Sequence, residues 1–295
     1  MSAAPLFRRI AFIGIGLIGS SLARVVRRDG LAESTVTCAR SESTRNAALR
    51  LGLVDEATDD PVAAVKGADL VMLCTPVGAY RALVEAIVPH LEPGAIVSDI
   101  GSVKQKVVDE LAPLLPARVS FVPGHPVAGT EHSGPEAGFA ELFVGRWCIL
   151  TPPPGTSPEA VDRVRALWLK CGMAVDIMDA GHHDRVLAIT SHLPHLIAYT
   201  IVGTASDLED DLRQEVIKYS ASGFRDFTRI AASDPVMWRD IFLGNREAVL
   251  ETLQRFTEDL TALQRAIRWG DGDKLIEHFT RTRAIRRSII DAKQA

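Results

Sequence analysis

The chain has few cysteines, and they form none of the patterns that mark a disulfide scaffold or a zinc site. Only four occur in 295 residues, and no two stand at C-x-x-C spacing. Three of them lie in apolar runs, which predicts buried, reduced thiols in a cytoplasmic protein. The four residues are Cys38, Cys74, Cys148 and Cys171.

The chain also lacks a large excess of charge and a long apolar run. Its net charge of −4 at pH 7 provides no basic surface for nucleic acid or for an acidic membrane. No stretch approaches the ~20 apolar residues of a membrane-spanning helix. Arg8 and Arg9 before the apolar run 10–23 resemble a signal peptide, but the glycines in that run have another explanation. We expect neither a nucleic-acid partner nor a membrane partner.

Strand and helix patterns alternate through residues 1–179. This alternation predicts a Rossmann-type α/β domain with a doubly wound, mostly parallel sheet. The predicted strands are 9–14, 34–39, 69–74, 95–100, 120–124, 147–151 and 174–178. The predicted helices are 17–29, 42–51, 78–91, 103–115 and 158–171.

The sequence GIGLIG follows the first predicted strand and opens the first predicted helix. This is the context that the G-x-G-x-x-G dinucleotide-binding fingerprint requires. Gly14 permits a tight turn, Gly16 lets the backbone approach a pyrophosphate, and Gly19 lets helix and strand pack closely. The N–H groups around Leu17 and Ile18 at the helix start would face the phosphates. The pattern predicts a site for NADP or NAD.

The end of the second predicted strand favours NADP over NAD. An Asp or Glu about 20 residues past the glycines bonds the ribose in NAD-preferring domains. Here Arg40 and Ser41 follow the strand, with Arg45 one helical turn further on. Arg40 can pair with a 2′-phosphate and Ser41 can donate a hydrogen bond to it. The alternative is that Glu42 reaches back to the ribose.

Ligands of doubly wound sheets bind at the carboxyl ends of the strands. Thr75 and Pro76 follow one strand, Ser102 follows another, and His125 follows a third. Thr75 and Pro76 also fit an ordinary helix start, which is an equal alternative. We expect contacts to the cofactor from Thr75, Pro76 and Ser102.

The glycine-rich stretch GHPVAGTEHSG (124–134) begins at this same edge. It carries His125 between a glycine and a proline, followed by Thr130, Glu131 and His132. So many glycines disfavour a regular helix or strand, and the alternatives are a surface loop or a catalytic loop. The position of His125 at the ligand edge favours a catalytic loop.

Residues 180–295 show no further strand pattern and predict an all-α domain. Its apolar helices fit either a homodimer interface or an ordinary core. His192 and His195 share one helical face, but they have no carboxylate or cysteine at ligand spacing, so no metal site is expected. The predicted helices are 183–206, 208–221, 234–266 and 271–292.

A second polar group in this domain contains Arg225, Arg229 and Trp238. Arginine suits bidentate binding of a carboxylate. The alternative is that the arginines form salt bridges with Asp226 and Asp234. We favour that alternative for Arg225 and the carboxylate site for Arg229.

Together these motifs resemble the prephenate/arogenate (cyclohexadienyl) dehydrogenase family of tyrosine biosynthesis. The resemblance covers nearly the whole chain and rests on GIGLIGSS, DIGSVK, GHPVAGTEHSG, TSHLPH and GFRDFTRIAASDPVMWRDIF. It implies a Rossmann domain, a helical dimerisation domain, and oxidative decarboxylation of a cyclohexadiene to a phenol.

The resemblance also implies roles for individual residues. His125 is the expected catalytic histidine, with Ser102 and His195 beside it and Arg229 on a substrate carboxylate. A neutral histidine can accept the substrate's hydroxyl proton near pH 7. We further expect four other residues to contact the substrate: His192, Thr130, Glu131 and Trp238.

Several points stay open at this stage. The substrate can be prephenate or arogenate, since Glu131 can pair with an ammonium or order a loop, and feedback by tyrosine is conceivable. A β-hydroxyacid dehydrogenase would carry an early catalytic lysine, whereas the first lysine after residue 180 is Lys218. A nucleotide-sensing regulator would not need His125, His195 and Arg229 together.

Overall fold

The computed structural model describes residues 4–130, 132–207 and 222–291 of the chain. These residues form two compact units that divide between Arg246 and Glu247. The division by contacts differs from the change of secondary structure near residue 179. A Rossmann domain of residues 1–179 and a helical domain of residues 180–295 therefore stay a prediction.

The first unit contains a parallel sheet of six strands in the order β3-β2-β1-β4-β5-β6. This order is that of dinucleotide-binding sheets, whose switch point lies between β1 and β4. The predicted Rossmann-type fold is confirmed. The strands are β1 (Phe7–Ile13), β2 (Ala32–Cys38), β3 (Glu56–Thr58), β4 (Leu70–Leu73), β5 (Ile96–Asp99) and β6 (Ser120–Val122).

Helices cover both faces of this sheet, because the residues of the central strand alternate between two apolar clusters. Ile10 and Phe12 of β1 belong to one cluster, and Ala11 and Ile13 belong to the other. Both faces are therefore buried, as a parallel sheet requires. The helices are α1 (Leu17–Arg28), α2 (Glu42–Arg50), α3 (Pro61–Val65), α4 (Tyr80–Ile87), α5 (Gln105–Leu111) and α6 (Pro158–Lys170).

A second, smaller sheet was not predicted. The expected strand 120–124 is two strands, because Pro123 interrupts it and has no N–H to donate to a ladder. The second strand, β7 (Gly124–Pro126), pairs antiparallel with β8 (Trp147–Leu150), which pairs parallel with β9 (Ala174–Ile177). The short β3 and α3 were also missed, since three and five residues are too few to show a period.

Helices follow the small sheet, as predicted, but with two differences. The expected helix 183–206 contains a π-helical turn at Ala188–His192, just before Pro194. The expected helix 234–266 is two helices, because Asn245 leaves helical geometry with φ −114° and ψ 36°. The expected helix 208–221 lies outside the described residues. The helices are α7 (Ala180–Leu187), α8 (Leu193–Ser206), α9 (Ser222–Thr228) and α10 (Pro235–Gly244).

The second unit consists of two long helices, α11 (Arg246–Trp269) and α12 (Gly272–Asp291). A glycine with φ +65°, Gly270, stands between them. Both helices expose large apolar side chains, including Ile267, Trp269 and Phe279.

One helical stretch of the described residues, Ala180–Ser206, is long and apolar enough to cross a membrane by length and composition alone. The expectation that no stretch approaches such a length was therefore wrong. The core helices of many proteins pass the same test. This stretch carries three buried polar residues, His183, Asp184 and His192.

Candidate dinucleotide and active sites

The glycine-rich turn between β1 and α1 forms a cradle with open space at its centre. A Cβ atom at Gly14, where φ is +93°, would stand 2.9 Å from the carbonyl carbon and oxygen of Cys74. One at Gly19 would stand 3.1 Å from Cys74 Cβ, whereas one at Gly16 would meet nothing within 4 Å. Only glycine fits the first position without strain, and the space at Gly16 suits an approaching phosphate.

The groups around this cradle also fit a dinucleotide. The 12-residue helix α1 begins at Leu17 and has no acidic residue in its first turn, so its N-terminus presents Leu17 and Ile18 N–H groups to an anion. The buried Thr75 Oγ1, directly after β4, has no hydrogen-bond partner among the described residues. Pro76 opens the short turn that follows. A ligand hydroxyl or phosphate would satisfy Thr75.

The end of β2 presents one arginine to solvent and uses another within the protein. Arg40 is exposed, and Ser41 caps α2 by accepting a hydrogen bond from the Thr44 N–H at 3.3 Å. Arg45 Nη1 donates to the backbone oxygens of Ala39 and Arg40, at 2.8 Å each. Arg45 therefore holds the turn, while Arg40 is accessible to a ligand.

His125 lies on strand β7, and not in the loop that its glycine-rich surroundings indicated. Its side chain is buried, and Nδ1 is 2.8 Å from Nε2 of His183. His183 is fully buried, and its Nδ1 is 2.8 Å from Oδ1 of Asp184. The sequence pattern predicts only that a helix begins at residue 183, and it gives no sign of this contact of His183 with His125.

A buried ion pair holds the backbone next to His125. Lys104 Nζ donates to Oδ2 of Asp99 at 2.5 Å and to the oxygen of Gly124 at 2.8 Å. Both charged side chains are fully buried. Asp99 also accepts the N–H groups of Gly101 and Gly124. Sequence reasoning missed the roles of both residues, although the two charges begin and end the DIGSVK motif at the end of β5.

Asp184 connects the histidine pair to the start of α5. Its Oδ1 accepts the Lys104 N–H at 2.8 Å, and its Oδ2 accepts the Gln105 N–H at 2.9 Å. The cap of its own helix, α7, is Asp179, which accepts the His182 N–H at 2.9 Å. Asp184 therefore accepts hydrogen bonds from the start of α5 and from His183, and it does not cap α7, the helix on which it lies.

His192 lies in the π-helical turn and is fully buried beside Ser102 and Asn245. Asn245 Nδ2 donates to the backbone oxygen of Asp184 at 2.7 Å and lies 3.1 Å from His192 Nδ1. Nδ1 is therefore the acceptor, and the proton of neutral His192 is on Nε2. That Nε2 is buried without a standard hydrogen bond among the described residues, and the Ser102 backbone lies close enough to affect the ring's pKa.

His195, Trp238 and Arg229 form a neighbouring group. The His195 ring stacks on the buried Trp238 ring, with 3.6 Å between centroids and 24° between planes. His195 Nδ1 donates to the backbone oxygen of Ser191 at 2.8 Å, so Nε2 is left as an acceptor. The Arg229 guanidinium is near enough to lower the pKa of His195.

Burial keeps these four histidines neutral at pH 7. It is the largest cause that lowers the pKa of His125, well below the usual value, and of His183 and His195. The same cause lowers the pKa of His192 to about 4. The positive charge of Lys104 lowers the pKa values of His125 and His183 further. Neutral imidazoles in a buried site can accept or donate protons near pH 7.

The remaining predicted substrate contacts follow β7. Thr130 is exposed, and its Oγ1 accepts the His132 N–H at 3.2 Å, which forms a local turn. Glu131 lies outside the described residues. The structure therefore brings His125, Ser102, His192, His195 and Trp238 to one region, with Arg229 beside it.

Comparisons with known proteins give a consistent result. The nucleotide-binding domain of prephenate dehydrogenase matches residues 22–177, and the dimerization domain of prephenate dehydrogenase matches residues 179–281. A cyclohexadienyl dehydrogenase of Zymomonas mobilis is 45% identical over 96% of each chain.

Solved structures agree with these sequence matches. The structure of prephenate dehydrogenase from Aquifex aeolicus with hydroxyphenyl propionate and NAD+ has a TM-score of 0.90 and 34% identity, over 98% of this chain and 100% of that one. Synechocystis arogenate dehydrogenase has a TM-score of 0.80 and 31% identity, over 95% of this chain and 99% of that one. The chain belongs to the prephenate dehydrogenase family.

Proposed function

We propose that this chain catalyses the NADP- or NAD-dependent oxidative decarboxylation of prephenate, arogenate or both, in tyrosine biosynthesis. The products are 4-hydroxyphenylpyruvate from prephenate and tyrosine from arogenate. One observation carries the proposal: a buried histidine with a lowered pKa, His125, lies at the carboxyl edge of a dinucleotide-binding sheet. The membership of the chain in the family supports it.

The reaction needs a side chain that accepts the proton of the substrate hydroxyl group and later returns it. A nicotinamide cofactor held by the glycine-rich turn at Gly14 and Gly16 would supply the acceptor for the hydride of the ring carbon that carries the hydroxyl group. His125 takes the hydroxyl proton as the carbon–oxygen double bond forms. Carbon dioxide then leaves, its bonding electrons enter the ring, and the oxygen regains a proton as a phenol. The balanced reaction releases no proton, so His125 returns the one that it took.

The other residues would bind and orient the substrate. Arg229 would hold a carboxylate, and the neutral acceptor His195 would take a hydrogen bond from the substrate. His192 would offer its Nε2–H, while the Trp238 face would support the ring. Ser102, next to His192, would orient the substrate or the base, and Thr130 and Glu131 would contribute from the segment after β7. Fixing the reacting groups in this way lowers the barrier.

The end of β2 supports a preference for NADP. The exposed Arg40 can meet a 2′-phosphate, and the nearby Asp59 carboxylate lies 3.6 Å from the Arg45 guanidinium, which offsets its charge. Arg45 would support this site indirectly, because it holds the Arg40 carbonyl. We expect Arg40→Ala to lower kcat/KM for NADP about 10- to 100-fold and to leave NAD unaffected.

The control is Arg50→Ala, which removes an exposed arginine at the other end of α2. Steady-state kinetics with both cofactors provide the measurement. A wild-type enzyme that works better with NAD would refute the preference.

The second unit supports a homodimer. Exposed Leu250, Leu260 and Ile267 on α11, with Ile276 and Phe279 on α12, would be covered by a second copy of the chain. We also propose a cytoplasmic location, in line with four buried cysteines that form no disulfide. We also propose feedback by tyrosine, because the product resembles the substrate, and a tyrosine-binding measurement tests it.

The decisive experiment combines four assays with one variant. Purified enzyme receives prephenate or arogenate with NADP or NAD, and reduced cofactor and carbon dioxide are measured together. His125→Asn should lower kcat ~10²–10⁴-fold with unchanged cofactor affinity. His90→Asn, at an exposed position, is the control. Cofactor reduction without carbon dioxide would favour a β-hydroxyacid dehydrogenase, and no reduction would favour a nucleotide-sensing regulator.

A further inference from the structure

Asp184, His183 and His125 form a continuous buried hydrogen-bond chain. The two links, from Asp184 Oδ1 to His183 Nδ1 and from His183 Nε2 to His125 Nδ1, both measure 2.8 Å. The two rings meet edge-on, with 5.0 Å between centroids and 69° between planes. All three side chains are at least nine-tenths buried. Water therefore competes little for these bonds.

The chain of bonds assigns the proton on each ring nitrogen. Both oxygens of Asp184 accept backbone N–H groups, so Asp184 is the acceptor from His183 Nδ1. Neutral His183 then has an acceptor at Nε2, and only a donor can face it. His125 must carry its proton on Nδ1, which leaves a lone pair on Nε2.

We infer that His183 is a positioning residue that fixes the tautomer of His125, so that Nε2 of His125 is the proton acceptor. The inference rests on the proposed role of His125 as the base. It assigns to Asp184 the task of orienting His183. Neither residue was identified as functional from the sequence.

The hydrogen bonds between Asp184 and His183 and between His183 and His125 suit a base that accepts the hydroxyl proton of the substrate and then returns it. When the substrate O–H bond breaks and the Nε2–H bond forms, His125 becomes an imidazolium. Its Nδ1–H then faces His183 Nε2, and the carboxylate of Asp184 lies at the other end of the chain to stabilise the positive charge. The charge is held inside the protein until the phenolic oxygen takes the proton back.

Burial, first, and then the charge of Lys104 lower the pKa of both rings, whereas Asp184 and Asp99 raise the pKa of His183. Lys104, with its partner Asp99, and His192 face the pair in addition to Asp184. A proton gained by His183 would place an N–H on each of its nitrogens and would force His125 to accept at Nδ1. His125 would then lose its lone pair at Nε2, so the pair titrates as a unit.

Two substitutions of similar size separate the two bonds of His183. His183→Gln places its amide where Nε2 was; the carboxylate of Asp184 attracts the NH₂ group, and the carbonyl oxygen can accept from His125. His183→Asn places its amide near Nδ1 and keeps the bond to Asp184, but it leaves His125 Nδ1 without an acceptor. The control is His182→Gln, on the exposed side of α7.

We expect His183→Asn to lower kcat ~10²-fold or more, which is within the range of lost acid–base catalysis. His183→Gln should stay within about tenfold of wild type, which is a smaller loss than that of the Asn variant. Cofactor dissociation constants should be unchanged in both. A merely structural role predicts equal losses of kcat that follow the melting temperature.

The second readout is the tautomer itself, measured without substrate. In protein labelled with ¹⁵N at histidine, His125 should show a protonated Nδ1 and an unprotonated Nε2 at pH 7, with its signals assigned from His125→Asn. His183→Gln should keep this pattern, and His183→Asn should move it toward the other tautomer. An unprotonated Nδ1 on His125 in the wild type, or equal kcat in the two variants, would overturn the inference.

These outcomes are distinct from a failure of the proposed function. If His125→Asn retains normal kcat, His125 is not the base, whatever its tautomer. If His125→Asn is inactive while both His183 variants behave alike, the base stands and the positioning role falls.

Discussion

Removal of the Lys104 ammonium group is the sharpest test of the buried polar network. Lys104→Met keeps the length of the side chain and deletes its charge and three donors. Asp99 then keeps the N–H groups of Gly101 and Gly124 but has lost its buried counter-charge, and the oxygen of Gly124 loses its donor. Breaking a buried ion pair costs about 3–5 kcal/mol, and the stranded carbonyl oxygen adds about 1 kcal/mol.

Because Asp99 keeps two backbone donors, we expect a total loss at the lower end of the summed range, about 4 kcal/mol. The double variant Asp99→Asn with Lys104→Met leaves no buried charge and should lose only about 1–2 kcal/mol, since one N–H loses its acceptor. The partial recovery is the signature of a stranded charge, because a simple packing defect would not be repaired by a second substitution.

The measurement is urea unfolding followed by circular dichroism, at one protein concentration because a dimer's stability depends on it. The activity of Lys104→Met gives a second check. Without the lysine charge, the pKa of His125 should rise, so the acid limb of kcat/KM should move to higher pH. A double variant that loses the sum of the two single losses would refute the reasoning.

Three further predictions follow from the site. Arg229→Ala should raise KM for substrate about 10- to 100-fold with little change in kcat; a lower melting temperature with unchanged KM would show a structural role instead. Unfolding measured from pH 7 to pH 4 should show a loss of stability, because the unfolded chain protonates His192 near pH 6.5 while the folded chain holds its pKa at about 4. This residue alone should contribute about 3 kcal/mol, and a flat profile would contradict its burial as a neutral group. Gly138→Ala should lower the melting temperature, because its Cβ would overlap Ser20 Oγ; Gly129→Ala, with nothing within 4 Å, is the control.

The parts of the fold that the sequence predicted are those with a local signature. The turn at Gly14, Gly16 and Gly19 is one example, because each glycine meets a separate steric demand within six residues of chain. The strands of the large sheet other than β3 are another, since most of them carry a run of apolar or β-branched residues. The order of those strands then follows from the fold class.

The missed parts depend on contacts between distant segments. His183 and Asp184 bond to residues 58 and 80 positions away, and no period in the sequence indicates such a bond. An aspartate near a helix start, such as Asp184, is also more simply interpreted as a helix cap. In this structure Asp179 is the cap of α7. The ion pair of Asp99 and Lys104 is local, but its burial becomes visible only when β7 and α7 pack over it.

The break at Asn245 shows the same limit. Residues 234–266 have a continuous helical pattern, so sequence reasoning predicts one helix. The structure ends α10 there, and the Asn245 side chain donates to the backbone of Asp184 and approaches His192. A tertiary bond to a buried carbonyl oxygen therefore decides where the helix ends.

The same bonds explain why the chain divides by contacts after Arg246, and not where the strands stop. Asp184 binds the start of α5, His183 binds His125 on β7, and Asn245 binds Asp184. These bonds link the edge of the sheet with the helices that follow residue 179. A domain boundary at residue 179 would therefore separate residues that are hydrogen-bonded to one another. The secondary structure changes from mixed to helical near residue 179, whereas the two compact units divide after Arg246. The segment between the two points carries His183, Asp184, His192 and Asn245, whose bonds reach back to the edge of the sheet where His125 lies.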